Sequence, residues 1–114
     1  MPKHILSVSY DPSLLRTRQM MLERAGFKVT SALGFTEALE RCQANAQFDL
    51  VLLGHTVPRK DKSALITLLK QRCNTPMLSI RRHGYPPVPE ADSSVDAQDG
   101  PEALLEAVKS ALAS

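Results

Sequence analysis

Phe48-Asp49-Leu50-Val51-Leu52-Leu53-Gly54-His55-Thr56-Val57-Pro58 decides the reading of this chain. Its first six residues are mostly apolar and hold no turn former, the pattern of a short strand buried on both faces. A loop with Pro58 and Asp61 follows, and then Ala64, Leu65, Leu68 and Leu69 form the stripe of a helix that ends near Cys73. Upstream, Ile5 to Val8 reads as a first strand. Asp11 is placed to cap a helix led by Pro12, with Leu14, Leu15, Met21, Leu22 and Ala25 on its inner face and Gly26 as its stop. Phe27 to Ser31 reads as a second strand, and a helix follows from about Thr36 with Ala38, Leu39 and Cys42 inward. Downstream, Pro76 to Ile80 is a fourth strand, Ser94-Val95 a short fifth, and Gly100-Pro101-Glu102 opens a last helix packed through Leu104, Leu105, Val108 and Leu112. Alternating strands and helices imply right-handed crossovers and a parallel sheet covered on both faces.

The 114 residues fit one domain, residues 1–114, able to bury a core of its own. A formal charge of +2 is too small for a nucleic-acid binder, which needs a basic stripe. No apolar run approaches the ~20 residues of a membrane helix, and Met1-Pro2-Lys3-His4 runs into the first strand without a signal-peptide core. A cytoplasmic protein with no membrane contact is expected. Cys42 and Cys73 lie far apart without CxxC spacing and are expected to be reduced thiols, not a bridge or a metal pair.

The whole series from Lys3 to Leu112 resembles the receiver domain of bacterial two-component response regulators, of CheY-like fold. The resemblance rests on the strand ending in Asp11-Pro12, the Ala25-Gly26-Phe27-Lys28-Val29 junction, and the Phe48–Leu53 strand with Pro58 and Asp61 behind it. The Asn74-Thr75-Pro76 entry and Gly100-Pro101-Glu102-Ala103-Leu104-Leu105 complete it. It implies a three-layer, doubly wound α/β fold with a five-stranded parallel sheet in the order 2-1-3-4-5, its site at the carboxyl ends of strands one, three and four. Phosphorylation in that family uses two adjacent acids and a strand-three aspartate around Mg²⁺, then a hydroxyl after strand four and a lysine after strand five. The matching positions are Ser9 and Tyr10, Gly54, Arg81 and Ala97. None keeps the family's chemistry, so neither metal nor cofactor is expected. The family's relay from a hydroxyl to a strand-five aromatic also lacks both ends, since Arg81 and Ser94-Val95-Asp96 stand there.

His55 is a poor substitute acceptor, because strand alternation would point it away from position 54. Ser7 and Ser9 lack a base and an orienting acid, which argues against an enzyme. The family's fourth helix, between strands four and five, is expected to be missing or shortened, because Gly84, Pro86, Pro87 and Pro89 lie there. Two functional classes remain. One is a phosphorylation-independent receiver-like domain acting in signal transduction by protein–protein contact, with Tyr85-Pro86-Pro87-Val88 as an apolar patch. It would stand alone, pair with itself, or be fused to an output or sensor domain. The other is a sensor that holds an anionic small molecule in a basic crevice of Arg59, Lys60, Arg81 and Arg82, with Lys62 in the same loop.

Overall fold

In a computed structural model, which describes residues 2–42 and 47–113, strand β1 (His4–Ser9) gives way to helix α1 (Pro12–Arg24) at Asp11. The Asp11 carboxylate accepts the backbone N–H groups of Ser13 at 2.8 Å and Leu14 at 3.2 Å, and Pro12 takes the first helical position, where no donor is required. Then come β2 (Lys28–Leu33), α2 (Phe35–Arg41), β3 (Leu50–Leu53), α3 (Arg59–Cys73), β4 (Met77–Arg81), β5 (Ser93–Asp96) and α4 (Gly100–Ala113), a 3-10 turn at Ala97–Asp99 leading into α4. Asn74 ends α3 in the left-handed conformation, at φ 47°. The strands are parallel in the order β2-β1-β3-β4-β5, the doubly wound topology expected, and each strand end falls within two residues of its expected place.

Alternation along the strands builds the two outer layers. Ile5, Leu50, Leu52, Leu78 and Ile80 pack with Leu22, Leu104 and Val108 on the α1/α4 face, while Leu6, Val8, Val51, Leu53 and Met77 pack with Ala38, Leu65, Ile66 and Leu69 on the α2/α3 face. All four residues of β3 are at most 1% exposed. At about 1.5–3 kcal/mol for each fully buried aliphatic side chain, this strand anchors the domain.

Three expectations are corrected. Cys42 and Cys73 are not separate thiols but form a disulfide, their Cα atoms 6.0 Å apart across a sequence separation of 31. α2 and α3 lie side by side on one face and end at these residues, so the fold supplies the proximity that local spacing did not reveal. Arg59, Lys60 and Lys62 belong to the first turn of α3, not to a loop. And while no helix lies between β4 and β5, as the prolines required, the bared sheet is not left open. Val88, expected on the surface, is only 5% exposed and packs into the α2/α3 core, with Ala91 beside it. Met77 and Asp92 hold the segment down through Met77 N–H to Asp92 Oδ2 at 2.7 Å and Asp92 N–H to the Met77 carbonyl at 3.0 Å. No helix of the described residues is long and apolar enough to cross a membrane.

Candidate functional site

A parallel sheet of this order collects the carboxyl ends of β1, β3 and β4 at one rim. The five positions matched from the sequence are all there, each tied into structure. Ser9 Oγ lies 3.0 Å from Thr56 Oγ1 and accepts the Asp11 N–H at 3.0 Å. Tyr10 donates its phenol proton to Asp61 at 3.0 Å. Burial foremost, then that carboxylate, pushes the phenol up to about 12, so Tyr10 stays a donor. Arg81 lies 3.4 Å from Asp96, its register partner on β5, so an ion pair joins these strands where the family's relay would run. The Gln98 N–H first, then His83 and Arg81, holds Asp96 below the usual carboxylate range. Ala97 opens the 3-10 turn and packs toward α4.

Gly54 sits at the centre, buried, its N–H donating to the Val8 carbonyl at 2.8 Å. A Cβ there would stand 2.6 Å from Arg18 Nη1 and 3.1 Å from the Val8 oxygen. The space of an acceptor side chain is therefore taken by a guanidinium from α1. Arg18 is only 8% exposed; its Nη2 donates to His55 Nδ1 at 3.0 Å, and its Nη1 is buried without a partner. Since arginine can only donate, His55 is the neutral imidazole accepting through Nδ1. Burial, then Arg18, Arg82 and Lys62, pulls its pKa below the ordinary value. His55 lies beyond the end of β3, so strand alternation does not govern it. It is half-buried at the rim and leans on the cation that covers Gly54.

A second cation comes from α3. Lys62, 4% exposed, donates to Ser79 Oγ at 3.0 Å and to the Ile80 carbonyl at 2.8 Å. Burial first, then Arg18 and Arg82, lowers its pKa to about 8. Beside it opens a cleft of about 260 Å³ lined by His55, Arg59, Lys62, Arg81 and Arg82 and by Val57, Pro58, Tyr85, Pro86 and Val88. The structure thus brings Arg59, Arg81 and Arg82 together as expected, and leaves Lys60 exposed outside the cleft. Tyr85 is 58% exposed, and Arg59 Nη1 donates to the Pro86 carbonyl at 3.2 Å, which ties this segment to α3.

Arg18 was not singled out from the sequence and Lys62 was read only as a loop cation, yet both carried a signal of burial. Arg18 shares the inner face of α1 with Leu15 and Leu22, and Lys62 that of α3 with Leu65, Ile66 and Leu69. A charged residue in register with an apolar helical stripe must be buried, and it points where the helix meets the sheet end. The same two cations bear on the Mg²⁺ that a fold of this kind implies. Mg²⁺ needs oxygen ligands, and the residues do not fit it. Position 54 offers no side chain, Asp11 caps α1, Asp61 is engaged by Tyr10, and a guanidinium fills the acceptor's place. Among the described residues no cluster of His, Cys, Asp and Glu could hold a metal.

No family model and no curated protein matches this chain. Solved structures do. A CheY-like response regulator receiver domain protein from Methanospirillum hungatei JF-1 superposes with a TM-score of 0.81 at 26% identity, over 98% of this chain and 94% of its own. Chemotaxis protein CheY4 of Vibrio cholerae gives 0.82 at 20% identity, over 97% and 99%. The N-terminal domain of a response regulator/sensory box/GGDEF 3-domain protein from Carboxydothermus hydrogenoformans gives 0.83 at 23% identity, over 96% and 94%. The chain is a receiver-like domain in fold, with cations at the rim where that fold's acids are expected.

Proposed function

We propose that this chain is a receiver-like signalling module that works through protein contact and without phosphorylation. The observation that carries the reading is the Arg18 guanidinium lying over Gly54. An acceptor carboxylate is absent, and the space it would use holds a group that repels Mg²⁺ and attracts the wrong partner. The Arg81–Asp96 ion pair supports the same reading, since it clamps β4 to β5 without reference to a phosphoryl group. With no switch to throw, the module acts through a fixed surface, recruiting a protein partner or serving a fused domain. The 3-domain Carboxydothermus protein is one in which a similar domain is joined to others. The exposed Tyr85-Pro86-Pro87 segment, stiffened by its prolines and by Arg59, is the contact surface we assign to it.

The test is incubation with acetyl phosphate, phosphoramidate or beryllium fluoride in the presence of Mg²⁺, followed by intact mass and amide NMR spectra. Unchanged mass and unchanged shifts at β3 and β4 are expected. A stoichiometric adduct on any residue, His55 included, overturns the reading.

A further inference from the structure

The cleft beside Lys62 carries more positive charge than its surroundings balance. Arg59, Lys62, Arg81 and Arg82 all line it, and Arg18 lies behind them across His55. Of these five cations only Arg81 has a carboxylate within ion-pair distance among the described residues. Lys62 spends its hydrogen bonds on a neutral hydroxyl and a carbonyl, and Arg81 Nε is buried with no acceptor. A buried donor of this kind is costly when left unmatched and is available to an incoming acceptor. The rest of the lining is Val57, Pro58, Pro86 and Val88, with the exposed Tyr85 and with His55.

We propose that this cleft binds a phosphate monoester bearing a compact apolar or aromatic group. The dianion would sit among Lys62, Arg82 and Arg59, and the organic part against Pro58, Pro86 and Tyr85. A dianion suits the site better than a carboxylate, because three cations there are without counter-charge. Fork-shaped guanidinium donors match phosphate oxygens. Burial first, and then the Arg18 and Arg82 charges, lower the pKa of Lys62, and a bound anion would offset the second of these. This site is separate from covalent phosphorylation, since it needs neither an acceptor nor Mg²⁺, and it borders the partner surface proposed above, with which it shares Tyr85 and Pro86.

The experiment is titration of the protein with phenyl phosphate, inorganic phosphate and phenol at matched ionic strength, followed by amide NMR. The variants Arg82→Gln and Lys62→Met run beside the wild type. Saturable shifts at His55, Lys62, Arg82 and Tyr85, with phenyl phosphate at least about tenfold tighter than inorganic phosphate and about tenfold weaker in Arg82→Gln, are expected. Arg82 is exposed and its replacement leaves the fold intact, so the test stands even if Lys62→Met does not fold. Unsaturable shifts spread over surface lysines, equal affinity for the two phosphates, or unchanged affinity in Arg82→Gln overturns the proposal.

Discussion

At position 54 the absence of a side chain is a packing requirement as well as a chemical loss. Alanine there places its Cβ against Arg18 Nη1 and the Val8 carbonyl, so Arg18 must swing out of a site where it is nearly fully buried. Gly54→Ala is expected to destabilise the domain by about 1–3 kcal/mol, the range for overpacking a filled interior. Gly54→Asp meets the same crowding but offers Arg18 an acceptor for its unpartnered N–H. The aspartate variant is therefore expected to be more stable than the alanine variant by about 1–3 kcal/mol, the worth of a charge-assisted hydrogen bond. Urea unfolding of both variants, alone and with Arg18→Met, checks this, since the advantage of aspartate should vanish when Arg18 is removed. The new carboxylate, capped by a guanidinium, should also take up no phosphoryl group from acetyl phosphate, as intact mass would show.

Among the elements, the β4–β5 connection departs most from what a receiver fold prescribes. The prolines made its lack of helix readable, because each removes a donor and holds its predecessor extended. What the connection does instead was not readable: one apolar residue among four exposed neighbours can face either way, and only the vacancy beside α3 turns Val88 inward. Val88→Asp should accordingly destabilise folding by more than about 2 kcal/mol, since it buries a carboxylate without a partner. Tyr85→Ala should leave stability within about 0.5 kcal/mol, and the pair separates packing from contact in one urea series. The α2–α3 clasp gives a further expectation. Closing a loop of 31 residues should contribute about 3–4 kcal/mol through the unfolded chain, and unfolding with and without dithiothreitol measures it.

For the whole molecule, charge placement makes stability depend on pH in a definite sense. Lys62 is held at about 8, below its ordinary value, so from there to about pH 10 the unfolded chain binds the extra proton. The penalty is full below pH 8 and is relieved as pH rises, so stability should climb between pH 8 and 10 and stay level there in Lys62→Met. Tyr10, raised to about 12, acts in the opposite sense only once its unfolded value near 10 is passed. On the acid side His55 and His4, both lowered chiefly by burial, contribute stability that is complete above about 6.5 and is lost as pH falls. Thermal melts across this range check both limbs. The alternation of strands and helices was legible in the order of apolar runs, and the sheet order followed from the receiver resemblance those runs carry. The basic rim was legible in Arg59, Lys62, Arg81 and Arg82, but the Arg18 guanidinium over Gly54 was not, because it arises where a helix from another part of the chain leans over the strand end.

The Cys42–Cys73 clasp also determines how the chain responds to force. It encloses β3 and nearly all of α3, so tension on the termini passes around them through the sulfur bridge. At about 3.5 Å per residue, the 31 enclosed steps hide roughly 110 Å of contour length from an instrument pulling on the two ends. An extension trace in reductant should run longer by that amount, and the strand that forms the middle of the sheet would bear load only once the bridge is open.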